Sequence, residues 1–163
     1  MKRIVALIIV GVALSACQQR KQQFFTTAPE IELVKKLDRS FAAADWATYR
    51  GSYADTAKIW FNTWGGKEAI SVDTLLARLQ SARANYTEAK LGQPAIYEMN
   101  ETDDGKRWVH RFGRWDAKLR NGKDVSWPST AAFLVSDGKI IFGGYIFNAL
   151  PGYLANQDST AAK

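Results

Sequence analysis

Apolar positions fall into two periods along the chain. From Ile31 they recur at three and four residues, through Val34, Leu37 and Phe41 to Ala44, one face of a helix that Pro29-Glu30 opens. Asp45 suits the cap of a second, short helix carrying Trp46 and Tyr49 and stopped by Gly51. Tyr53-Ala54-Asp55 leads into a strand from Thr56 to about Asn62, and Trp64-Gly65-Gly66 breaks the chain before a third helix. That helix shows Val72, Leu75, Leu76, Leu79, Ala82 and Tyr86 on one face, with Ser71 as its cap or a start nearer Lys67. A strand from Ala95 to Asn100 follows Pro94, and the polar turn Glu101 to Gly105 closes it.

The period then changes to two. Arg107 to Leu119, Asp124 to Val135 and Lys139 to Asn148 read as three strands of about ten residues, longer than usual. Asn121-Gly122 and Ser136-Asp137-Gly138 supply the tight turns, with positive φ expected at both central positions of the first. Strands this long in a small sheet curve, and a curved sheet has a concave side to fill. Pro151-Gly152 ends regular structure, and 151–163 reads as a loose tail.

Ahead of the first helix, Lys2 and Arg3 precede an apolar run, Ile4 to Leu14, too short to remain as a membrane span. Leu14-Ser15-Ala16-Cys17 follows directly and resembles a bacterial lipoprotein signal, with 1–16 removed and Cys17 acylated; an ordinary secretory signal is the alternative. Cys17 is the only cysteine, so acylation leaves no thiol for a disulfide. Residues 17–29 form a polar tether in which Phe24-Phe25 either touches lipid or docks on the domain. Multiple acyl chains hold a protein durably on a membrane, which places the domain in the cell envelope. Gln18, where an Asp favours inner-membrane retention in Gram-negative lipoproteins, implies the outer membrane facing the periplasm for that envelope type.

With Lys2 and Arg3 removed, 20 basic residues remain against 16 acidic, a charge of +4 that is scattered rather than striped. That pattern argues against nucleic acid. The chain of 163 residues makes one domain, rich in aromatics with six Trp, six Tyr and eight Phe.

Phe41 to Trp46, Tyr53 to Ala57, Asp137 to Ile140 and the strand end Tyr145 to Asn148 resemble, in order and spacing, the SnoaL-like branch of the nuclear transport factor 2-like (NTF2-like) superfamily, over 30–150. The resemblance implies an α+β cone: a bent antiparallel sheet wrapped around N-terminal helices, open at one end. It also implies a homodimer through the convex face. Lys139 to Asn148 agrees, being apolar on both faces, with Ile140, Phe142, Gly144 and Ile146 on one and Ile141, Gly143, Tyr145 and Phe147 on the other.

Carried over by position, the resemblance yields no ionisable catalyst. Leu37, Phe61, and Thr130 or Ala131 stand where steroid isomerases of this superfamily ionise, and Asn148 stands where SnoaL-like cyclases end the last strand with Asp. No nearby carboxylate replaces them. His110, the only histidine, is the one acid/base candidate; it shares a strand face with Trp108 and Phe112 while Val109, Arg111 and Trp115 share the other, and alternation leaves open which face is concave. No metal site or cofactor is expected. The pocket wall is expected to include Tyr49, Tyr53, Trp60, Trp115, Thr130 and Tyr145, with His110, Arg111 and Asn148 as polar contacts. These features favour an anchored, non-catalytic domain binding a small apolar ligand or an envelope partner. The alternatives are an isomerase, dehydratase or cyclase using His110, and a structural module whose own side chains fill the cone.

Overall fold

The structure is a computed structural model that describes residues 23–63 and 69–160. The signal segment, Cys17, Gln18 and the Trp64-Gly65-Gly66 break therefore lie outside the described residues. In chain order the elements are β1 (Phe24–Phe25), α1 (Pro29–Ala43), α2 (Trp46–Gly51), β2 (Tyr53–Phe61), β3 (Ile70–Ser71), α3 (Val72–Arg83), β4 (Tyr86–Leu91), β5 (Ile96–Glu101), β6 (Arg107–Leu119), β7 (Asp124–Ser136), β8 (Lys139–Phe147) and α4 (Leu150–Thr160).

The helices begin where local chemistry directs them. Pro29 occupies the first turn of α1, where its missing N–H costs nothing. The Asp45 side chain accepts from Thr48 N at 3.0 Å and the Ser71 side chain from Thr74 N at 3.2 Å, so both caps act as expected. Ile31, Val34 and Leu37 are fully buried and turn toward the sheet.

Among the described residues eight strands form one curved, open sheet, seven in the order β1-β5-β6-β7-β8-β2-β3 and β4 beside β6, antiparallel except where β2 runs parallel to β8. β6 is its spine. β5 pairs with the first half of one edge, Arg107 to Phe112, and β4 with the second, Trp115 to Leu119. α1 packs across β4, β5 and β6, and the main core lies between it and Ile59, Val109, Phe133 and Ile140. The fold class is the expected α+β cone.

Several local expectations change. β4 was not expected: Tyr86 belongs to it rather than to the third helix, because pairing with β6 outweighs the continuation of the helical period. Phe24-Phe25 docks on the domain as a short strand, Phe24 opposite Asn100. Residues 150–160 form α4 instead of a loose tail; Pro151 sits in its first turn, the position that suited Pro29. The first β turn is a three-residue loop, with Gly122 N donating to Leu119 O at 2.9 Å and positive φ at Gly122 but not at Asn121. The second has the two-residue geometry, φ being +50° at Asp137 and +69° at Gly138. A bulge at Ile141 breaks the alternation of β8, so Ile140 lies inside with Gly143 and Tyr145 while Phe142 lies outside.

Candidate functional site

Registration across the sheet assembles the site. Tyr97, Arg111, Ala131, Tyr145 and Phe61 stand side by side on five neighbouring strands, all facing α1. The next row holds Gly113, Ser129 and Phe147, and the one beyond it pairs Trp115 with Trp127. Ala131 is the small member between two large ones, and it leaves the Arg111 side chain room to lie along the sheet. α1 contributes Asp38 and Phe41, and α2 contributes Tyr49. Together they enclose a cavity of about 280 Å³.

The walls are aromatic. Phe41 meets Trp115 edge-on at 4.8 Å, Phe61 meets Phe147 at 5.2 Å, and Tyr86 leans on Trp127 at 5.8 Å. Gly152 and Tyr153 of α4 line one side, and the Asn121 amide donates to Ala155 O at 3.1 Å to hold that helix down.

The floor is polar. Asp38 Oδ2 accepts from the Tyr97 hydroxyl at 2.8 Å, and Arg111 Nε lies 3.7 Å from the same oxygen, an ion pair too long to be a hydrogen bond. Arg111 Nη1 donates to Ser129 Oγ at 3.2 Å. Burial pushes the Asp38 carboxyl above the ordinary carboxylate range, and the attraction of Arg111 only partly offsets it. Beside this pair the Tyr145 hydroxyl bonds to those of Tyr49, at 2.9 Å, and Tyr53. Burial raises Tyr49 to about 12 and Tyr53 and Tyr145 well above the usual phenol range. All three therefore keep their protons at physiological pH and remain potential donors.

Of the candidates read from the sequence, Tyr49, Arg111, Trp115, Tyr145 and Asn148 line the cavity. Tyr53 is buried behind the wall and reaches the site only through Tyr145. Trp60, His110 and Thr130 do not belong to it: strand parity puts them on the outer face. His110 there bonds to Asn100 Oδ1 through Nε2 at 2.8 Å and stacks on Phe112. It is not placed to act on a molecule in the cavity. The expectation that no carboxylate replaces the missing catalysts is also corrected, since Asp38, one residue past Leu37, enters the cavity floor. Its sequence signal was position: seven residues after Ile31, four after Val34 and three before Phe41, it sits in phase with the apolar stripe. Asn148 is partly committed, because its Oδ1 accepts from Leu150 N at 3.0 Å. Among the described residues no three His, Cys, Asp or Glu side chains are grouped to hold a metal ion.

A bent sheet closing over helices around an apolar cavity is an architecture with solved counterparts. A proposed polyketide cyclase from Xanthomonas campestris pv. campestris is 20% identical, with 78% of this chain and 95% of that one covered, at a TM-score of 0.61. The fold is that of the NTF2-like domains. A proposed SnoaL-like polyketide cyclase from Shewanella denitrificans superposes at a TM-score of 0.61 with 15% identity, covering 81% and 99% of the two chains. An NTF2-like protein from Anabaena variabilis does so at 0.60 with 14% identity, covering 74% and 87%. No family model and no curated protein matches the sequence. The NTF2-like fold thus accounts for the cone and its opening.

Proposed function

We propose that this NTF2-like domain hangs from the envelope membrane by an acylated Cys17 and binds a small, largely apolar molecule in its cavity. The carrying observation is the cavity itself: about 280 Å³, walled by Phe41, Trp115 and Trp127, with Asp38, Arg111 and Ser129 at its floor. That distribution suits a ligand with a ring-sized apolar body and one polar end. Native mass spectrometry of the full chain purified from an envelope-exporting host tests it. The expected result is a co-purifying small molecule that is lost when Trp115→Arg puts a charge on the apolar wall. A protein that retains no molecule and takes up no apolar compound would sink the proposal.

A second reading is favoured by Asp38. A buried carboxyl whose proton affinity burial raises can give or take a proton, which suits an isomerase, dehydratase or cyclase with Asp38 in the role expected of His110. Two of the structures named above carry the description of a proposed polyketide cyclase. If the domain turns over its ligand, Asp38→Asn abolishes turnover while leaving binding within a few-fold, and His110→Ala changes neither.

The outer face supports association with a second copy. Ile96, Phe112, Thr130 and Ile146 lie in register across four strands, and Phe112 and Ile146 are 44% and 50% exposed. Such an uncharged row in the middle of a sheet suits an isologous dimer.

A further inference from the structure

The exposed members of the cavity lining include Asn85, Asn148, Ala149 and Tyr153, which puts the mouth between the end of α3 and the start of α4. Two kinds of side chain flank it. Leu150, Tyr153 and Leu154, three and four residues apart on α4, form one stripe and are 54%, 60% and 50% exposed. An apolar stripe on the water side of a helix marks a surface that meets something other than water. The second kind is basic. Arg83 Nη1 donates to Tyr86 O at 2.8 Å, Arg120 N donates to Asn85 O at 3.0 Å, and Arg78 stands on α3 beside Leu79, so all three adjoin residues of the lining. None of them pairs with a carboxylate among the described residues. Glu88 and Asp124, the nearest acidic residues in the chain, stand either side of Lys118 on the outer face, where they offset that lysine.

We infer that this rim docks on a bilayer carrying anionic lipid, the leucines entering the headgroup layer and the arginines meeting phosphates, so that the cavity opens onto lipid. The inference rests on the anchored, ligand-binding reading above and adds the ligand's route: an apolar molecule passes between bilayer and cavity without crossing water. Apolar side chains flanked by arginine are the composition with which a helix lies in a membrane interface, and tyrosine suits that boundary, its ring in lipid and its hydroxyl in water. A second copy is the poorer occupant, because an isologous contact would set arginines against arginines. The anchor also sets the posture. β1 joins the sheet beside Asn100 and Trp108, and β6 runs eleven residues from there to Leu119 near the mouth, about 36 Å. The seven residues from Cys17 to Phe24 reach about 24 Å at most. The domain therefore lies along the bilayer with α4 against it, rather than standing on its mouth.

The test uses the full acylated chain reconstituted in phosphatidylcholine vesicles with a lipid-borne quencher, with and without phosphatidylglycerol. With the sulfur of Cys17 in thioether linkage, Ala149→Cys offers the only thiol and takes a fluorophore beside Leu150; Thr130→Cys takes one at the centre of the outer face. The expected result is that phosphatidylglycerol raises quenching at 149 by about fivefold or more, the worth of one basic residue beside an anionic surface, while the label at 130 stays unquenched in both. Leu150→Ser/Leu154→Ser removes the quenching and Arg78→Ser lowers it several-fold. These side chains are exposed, so the unfolding transition does not move. Equal quenching at 149 and 130, or quenching at 149 indifferent to phosphatidylglycerol or to the serine pair, overturns the docking. So does a chain that keeps its co-purified molecule with no quenching at 149, which leaves the cavity reading standing. Association of copies through α4, lost in the serine pair while 149 stays unquenched, gives the rim to a second copy and likewise overturns it. A chain that does not stay with the vesicles overturns anchor and docking together.

Discussion

At Asp38, burial and pairing pull one carboxyl in opposite directions, and burial wins because the Arg111 guanidinium stands 3.7 Å away rather than at hydrogen-bond distance. The folded state then holds the proton to higher pH than the unfolded chain does. The stabilisation tied to that proton is complete below the unfolded carboxyl's range, about pH 4, and is lost as pH rises through the higher folded value. Urea midpoints measured from pH 4 upward should therefore fall for the wild type relative to Asp38→Asn; parallel profiles would show that the carboxyl is not raised. A simpler change at this scale is Asp45→Ala, which removes the acceptor for Thr48 N and should lower the urea midpoint.

Among the elements, the hairpins of β6, β7 and β8 decide the site, because their register sets which side chains share a row. Both turns depend on left-handed glycine, Gly122 at φ +85° and Gly138 at φ +69°, with no neighbouring atom to hinder an added Cβ. The cost of substitution is therefore conformational alone: Gly122→Ala and Gly138→Ala should each destabilise by about 1 kcal/mol without altering side-chain packing. Unfolding midpoints check the size, and unchanged near-ultraviolet circular dichroism checks that the packing survives. α4 is a different case. Its apolar side chains Leu150 and Leu154 stay half exposed, so its hold on the domain comes from the cavity side, through Gly152, Tyr153 and the Asn121 bond to Ala155.

For the whole molecule, the two faces of the sheet divide the work. The concave face meets the helices and carries the cavity; the outer face carries His110, Trp108 and the uncharged row through Phe112. A charge in the centre of the outer row should break a dimer without disturbing the interior. Phe112→Glu is expected to sediment as a monomer with an unchanged unfolding transition, whereas a wild type that is itself monomeric would remove the dimer from consideration. Cys17→Ser, expressed in a host that acylates exported proteins, should release the domain from the membrane fraction into the soluble one.

The elements were legible in the sequence because their signals are local. A three-to-four period marked α1, Asp45 and Ser71 marked their own helices, and alternation with Asp137-Gly138 marked a hairpin. Parity likewise sorted β6 into two sets of side chains, Trp108 to Asp116 and Val109 to Leu119, before any fold was known. Which set looks inward could not be read from β6, since both faces mix aromatic and basic residues; only α1 packing on one side chose Arg111 over His110. The pairing of Asp38 with Arg111 was equally out of reach, being a meeting across 73 positions between a helix and a strand. β4 and α4 escaped because their intrinsic patterns are weak and long-range contact sustains them. Local periodicity therefore determined the elements and their faces. Burial, which depends on what lies opposite, decided the cavity and its chemistry.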